Sequence, residues 1–158
     1  MDIKETLKKI YRKFQNSDVM SMKVGLKYEF AYNEGKKYVK IVGINPGIKT
    51  ANVPNEIQGV IGKGAFKGNA SLKKVVLKNK IRVVGAEAFM NCKNLEKVEL
   101  PADLETINAS CFENCTSLES VILPYEVKTI SKRAFKNCTK LSDMPHYMKT
   151  GISATVTL

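Results

Sequence analysis

The chain has 158 residues, 44% of them hydrophobic and 26% charged, with a formal net charge of +11. That balance fits one folded soluble domain large enough for a core of its own. It excludes a membrane-spanning helix, since no apolar stretch approaches the roughly 20 residues a bilayer needs. The start, Met1-Asp2-Ile3-Lys4-Glu5, has no apolar run behind a basic region and does not read as a secretory signal. The expected location is cytoplasmic for the sequence as it stands, or the cell surface or medium if a signal has been removed.

Residues 2–16 read as an amphipathic helix. Asp2 and Glu5 have capping-box spacing, and Ile3, Leu7, Ile10, Tyr11 and Phe14 fall on one face. Such a basic helix suits a membrane surface or a partner. A cap over the open end of a repeat array is the preferred reading, because the first coil would otherwise bare its apolar edge. Residues 24–32 then alternate through Val24, Leu26, Tyr28, Phe30 and Tyr32, and Asn33-Glu34-Gly35 turns the chain into Tyr38–Ile44. This predicts a β-hairpin. Asn45-Pro46-Gly47 closes it, and Val53-Pro54-Asn55-Glu56-Ile57 leads into the part that decides the fold.

Phe66, Phe89, Phe112 and Phe135 are 23 residues apart. Leu72, Leu95, Leu118 and Leu141 keep the same step, as do Val75, Val98 and Val121, then Leu77, Leu100 and Leu123. A period of this size marks one solenoid coil per repeat. The predicted organisation is a cap over 1–60, repeats at 61–83, 84–106, 107–129 and 130–143, and a C-terminal cap over 144–158, all in one domain. Within a repeat, Leu-x-x-Val-x-Leu predicts a short strand with Val and Leu inward, ended by Pro101 or Pro124. The Ala-Phe segment predicts a helical or 3₁₀ turn on the far side.

Cys92, Cys115 and Cys138 hold one repeat position, where the first repeat has Asn69, and Cys111 replaces an alanine. Neighbours in that column would lie about 4.8 Å apart, within disulfide reach. Free thiols are favoured, because Asn69 fills the position with no partner to pair with; pairing stays open. No C-x-x-C is present and His146 is the sole histidine, so no metal site is expected.

Charge is segregated by repeat. Residues 61–83 carry Lys63, Lys67, Lys73, Lys74, Lys78, Lys80 and Arg82 with no acid, and 84–106 carry two lysines against five acids. Three glutamates outnumber one lysine in 107–129, and four bases return in 130–143. Such a field steers acidic partners; a plain lysine-rich surface looks the same.

Ala-Phe-x-x-Cys-x-x-Leu-x-x-Val-x-Leu-Pro at this period resembles the BspA-like leucine-rich repeats, the surface-antigen type of many bacteria and some protists. The hairpin and the Val-Pro-Asn-Glu-Ile lead-in resemble the openings of such arrays, so the likeness covers residues 28–143. It implies an α/β solenoid: a right-handed leucine-rich-repeat coil with a short parallel sheet, an N-terminal helix and a hairpin cap. It also implies a role in binding proteins, often at cell surfaces.

No catalytic constellation is visible. A nucleophile would need a positioned base, and His146 lies past the last clear repeat. Glu96 with Glu99 and Asp103 with Glu105 read as solvated surface. Gly62-Lys63-Gly64-Ala65-Phe66-Lys67-Gly68 lacks phosphate-loop spacing. The expected function is therefore non-enzymatic protein binding, without cofactor, metal or small-molecule substrate. The expected surface is the outward side of the strands: Lys74, Val76, Lys78, Lys97, Glu99, Ser120 and Ile122, facing a protein with an acidic surface. The alternative is electrostatic binding of nucleic acid, or inhibition of an enzyme that handles it, through a basic patch of Lys67, Lys73, Lys80 and Arg82.

Overall fold

The computed structural model describes residues 25–53, 58–78 and 80–142. The expected helix over 2–16, the 54–57 part of the lead-in and the C-terminal cap lie outside those residues.

The expected hairpin opens the array. β1 (Leu26–Asn33) and β2 (Lys36–Ile44) pair antiparallel around Glu34-Gly35. Both turn residues have positive φ, 49° and 74°, which gives a two-residue turn the twist of its strands. A register shift between Lys27 and Tyr28 interrupts the simple alternation read from Val24 to Tyr32.

The hairpin's second strand is already a rung of the stack. β2 pairs parallel with β4 (Gly59–Ile61), and β4 with β6 (Ile81–Val84). β8 (Thr106–Ile107) and β10 (Thr129–Ile130) continue this side into the third and fourth repeats. A separate parallel sheet runs through β3 (Thr50–Asn52), β5 (Lys74–Val76), β7 (Lys97–Glu99) and β9 (Ser120–Ile122). Each coil therefore has a strand side, a corner, a second strand side and a turn side. The sequence suggested one short sheet; the chain builds two.

The α component expected for the fold is not found: the described residues contain no helix. The Ala-Phe segments are successions of tight turns, and the hydrogen bonds show why. Ala65, Lys67 and Asn69 donate to Gly62, Gly64 and Phe66, three residues back. The amides between them, Gly64, Phe66 and Gly68, donate instead to Ala86, Ala88 and Met90 of the next coil. A helix would keep all these amides for itself; here every second one is spent on stacking. The arrangement needs left-handed backbone at two repeat positions. Gly64, Glu87, Ser110 and Arg133 occupy one, and Gly68, Asn91, Asn114 and Asn137 the other, all with φ near +60°. Asparagine tolerates that region better than most residues, and its amides are put to use: Asn137 Nδ2 donates to Asn114 Oδ1 at 2.7 Å, and Asn114 Nδ2 to Asn91 Oδ1 at 2.8 Å.

The period makes the core. Phe66, Phe89, Phe112 and Phe135 stack nearly parallel, with ring centroids 5.0–5.2 Å apart. Ile61, Val84, Ile107 and Ile130 line one wall and Val75, Val98 and Val121 the other, all buried. Each such side chain contributes about 1.5–3 kcal/mol when buried, and only the presence of a coil above and below completes that burial.

Candidate functional site

The register of β5, β7 and β9 lines up Lys74, Lys97 and Ser120 in one row and Val76, Glu99 and Ile122 in the next. The residues between the rows, Val75, Val98 and Val121, are buried in the core, so both rows face away from it. Six of the seven expected partner-binding residues thus share one sheet face, and Lys78 is exposed just beyond the end of β5.

Two features of this face differ from expectation. Val76 is only 7% exposed, so it does not offer the bare apolar surface read for it. It lies mid-sheet between Asn52 and Glu99, beside the Lys74–Glu99 ion pair at 3.0 Å, and long flanking side chains remove the accessible area of a short branched one. Ile122, in the last row, is 63% exposed, and Tyr125 at the neighbouring corner is 90% exposed. Sequence reading missed Tyr125. The available signal was an aromatic after Pro124 where the second repeat has Ala102 after Pro101.

Part of the segregated charge of the sequence is paired between coils. Lys73 reaches Glu96 at 2.9 Å, Lys67 reaches Glu87 at 2.6 Å, and Lys128 reaches Glu105 at 2.9 Å. Basic and acidic repeats are neighbours in the stack, so their charges face one another across one coil spacing. The hydrogen bonds from Lys74 and Lys67 hold the Glu99 and Glu87 carboxyls below their ordinary range, and the bond to Glu96 raises Lys73. Exposed pairs of this kind add little stability each, but they cancel much of the field expected to draw an acidic partner.

The expected basic-patch residues are spread along the first coil. Lys67 sits on the turn side, Lys73 ahead of β5, Lys80 at the corner after it, and Arg82 on β6. Two of the four bases already hold glutamates.

Of the carboxylates considered for acid–base chemistry, Glu96, Glu99 and Glu105 each pair with a lysine of an adjacent coil. His146 lies outside the described residues. Among the described residues the one buried acid is Glu113, 2% exposed. Its Oε1 accepts from Arg133 Nε at 3.2 Å and from Arg133 Nη2, and this bonding outweighs burial and holds the carboxyl below its ordinary range. The sequence signal was an acid at a position held by Lys67, Met90 and Lys136 in the other repeats.

All four cysteines are free. Cys92, Cys115 and Cys138 donate their thiol hydrogens to the carbonyls of Phe66, Phe89 and Phe112, at 2.9, 3.1 and 3.0 Å. Burial pushes Cys92 and Cys138 up to about 11 and raises Cys111 and Cys115 as well. These are unreactive, structural thiols. In the first repeat the side chain at this position bonds locally instead: Asn69 Oδ1 accepts from the amides of Ser71 and Leu72. Among the described residues no group of side chains is placed to hold a metal ion, and no helix is long and apolar enough to cross a membrane.

Solved structures share this architecture. A leucine-rich repeat protein from T. pallidum is 25% identical with a TM-score of 0.70, over 80% of this chain and 60% of that one. One from Bacteroides ovatus is 27% identical with a TM-score of 0.65, over 72% of this chain and 32% of that one. A leucine-rich cell surface protein from Faecalibacterium prausnitzii matches at 22% identity and a TM-score of 0.64, over 78% of this chain and 40% of that one, and supports the fold alone. The chain thus spans between a third and three fifths of the length of these proteins. No curated protein matches it. The family model for the BspA type leucine-rich repeat region matches residues 45–151 with six copies, and with the coil, the phenylalanine stack and the strand register in place the chain belongs to that family.

Proposed function

We propose that the chain is a non-enzymatic protein-binding module whose partner docks on the outer face of β5, β7 and β9. The observation that carries this reading is the pair Ile122 and Tyr125, 63% and 90% exposed at one edge of a flat strand surface. Two large side chains exposed to water, one on a strand and one in the turn after it, fit the usual anchors of an interface. Lys97 and Ser120 lie beside them in register, and Lys74, Lys78 and Glu99 form a polar rim. Since Lys74 and Glu99 already satisfy each other, the partner's matching surface is apolar with a few acceptors for Lys97 and Lys78, rather than broadly acidic. In the same reading the coil is right-handed, and residues 2–16 form a helix that caps the N-terminal end of the stack.

The test is recovery of a partner from native lysate by the wild-type chain and by an Ile122→Asp/Tyr125→Ala variant, with identification by mass spectrometry and titration of the purified pair. The variant should weaken binding at least tenfold. Equal affinity, together with no effect of reversing Lys74 and Lys78, removes this surface from the account.

A further inference from the structure

We propose that the chain pairs with a second copy of itself along the corner edge between its two sheets. The same turn makes that corner in three successive coils. Ile81 N donates to Lys78 O at 3.0 Å, Leu104 N to Pro101 O at 3.1 Å and Val127 N to Pro124 O at 3.2 Å. The strands before the turns run in register through β5, β7 and β9, and those after them through β8 and β10. The turns therefore stack into an edge along the axis of the coil. Lys80, Asp103 and Glu126 hold one position on it, all exposed, and Tyr125 stands beside Glu126. Charge on this edge is unpaired, and its sign changes along it. Lys78, Lys80 and Arg82 of the first coil are exposed and join none of the ion pairs among the described residues. Of the described acids beyond the hairpin, only Asp103 and Glu126 are likewise unpaired. Lys128 lies near Glu126 but is already bonded to Glu105 at 2.9 Å.

An edge that is basic at one end and acidic at the other is complementary to itself reversed. Two edges laid in the same direction set Lys80 against Lys80. Laid antiparallel about a two-fold axis, the first coil of each copy meets the third coil of the other. Glu126 then faces Lys78, Lys80 and Arg82. The ring of Tyr125, 90% exposed, lies against the same cations, an arrangement that cation–π attraction favours. Asp103, close to the axis, has bases of both copies around it. The first and third coils are two spacings apart, about 10 Å, so the contact is short and the association weak and reversible. The net charge of +11 repels two copies at long range, but at about 150 mM salt that repulsion is screened beyond roughly 8 Å, while contacts at the edge keep most of their strength. Because it uses Tyr125, the pairing rests in part on the reading of that residue as an anchor.

The full chain is followed by sedimentation equilibrium at about 150 mM NaCl up to several hundred micromolar, and should show a monomer–dimer equilibrium. Lys80→Glu/Arg82→Glu should weaken the dimer at least tenfold, and so should Asp103→Lys/Glu126→Lys. All four reversals in one chain leave the net charge at +11 and should restore dimerisation, a recovery that local complementarity alone explains. Lys132→Glu/Lys136→Glu on the turn side, with the same change of net charge as the first variant, should not weaken it. Circular dichroism confirms that each variant stays folded, and Lys80→Gln/Arg82→Gln carries the comparison should a reversal not fold. A monomer at every concentration, a dimer that survives either pair of reversals, or a four-residue variant that stays monomeric overturns the proposal. None of these substitutions alters Ile122 or Tyr125, so loss of self-association and loss of a partner from lysate are separate results.

Discussion

At the scale of single residues, the stack depends on places where two backbones nearly touch. A Cβ added at Gly85 would lie 2.6 Å from Lys63 N and 2.7 Å from Gly62 C, both main-chain atoms of the previous coil. Rotamer changes cannot relieve contacts with backbone, so the coils must separate. Gly85→Ala is expected to cost about 1–3 kcal/mol, read as a lower urea midpoint; an unchanged midpoint means the coils have slack. Glu113 offers a second test at this scale. Its carboxyl is held below the usual range chiefly by Arg133, so the charged form is favoured in the folded state. A depressed folded value makes this contribution complete above the unfolded value, about 4.3, and loses it as pH falls through the folded one. Arg133→Ala should therefore melt below wild type at pH 7, and the two melting temperatures should draw together as pH falls below the unfolded value and meet below the depressed folded one. A gap that persists in acid assigns the effect to packing of the arginine stem instead.

At the scale of elements, a phenylalanine is worth what its neighbours above and below make of it. Phe89 lies between two stacked rings and is fully buried, whereas Phe135 ends the column and is only partly buried. Phe89→Ala should cost about 3–5 kcal/mol and Phe135→Ala distinctly less, by chemical denaturation; equal costs would argue against nearest-neighbour stacking. This column was legible in the sequence because identical residues at a fixed step point to one place in a coil. The hairpin was legible through its alternation and its glycine. The second sheet was not: β8 and β10 are two residues long, too short for a period of two to show. The absence of helix from the Ala-Phe turns was equally hidden, since it is decided by amides given to the next coil rather than by local propensity. At the candidate surface, alternation placed Lys74, Lys97, Ser120 and Ile122 on the side away from the core but not the burial of Val76, which depends on its neighbours across strands.

At the scale of the whole molecule, charge and stability follow the same one-dimensional order. Two acidic repeats lie between two basic ones, and pairs between them run from one coil to the next, as in Lys73–Glu96 and Arg133–Glu113. A stack in which each coil touches only its neighbours opens from its ends. The hairpin closes one end through β2 and β4. The interior amides, Phe89 N to Cys111 O at 2.9 Å and Phe112 N to Ala134 O at 2.8 Å, are flanked by a coil on each side. Hydrogen exchange should therefore be slowest at Phe89 and Phe112, and faster through Ser131–Leu141, where Phe135 and Cys138 are already partly exposed. Arg133→Ala should steepen that gradient by loosening the fourth coil from the third, leaving Phe89 almost as protected as before. Uniform protection from Phe66 to Phe135, or an equal loss at every coil in the variant, would mean the array opens as one cooperative block and that its ends are not its weak points.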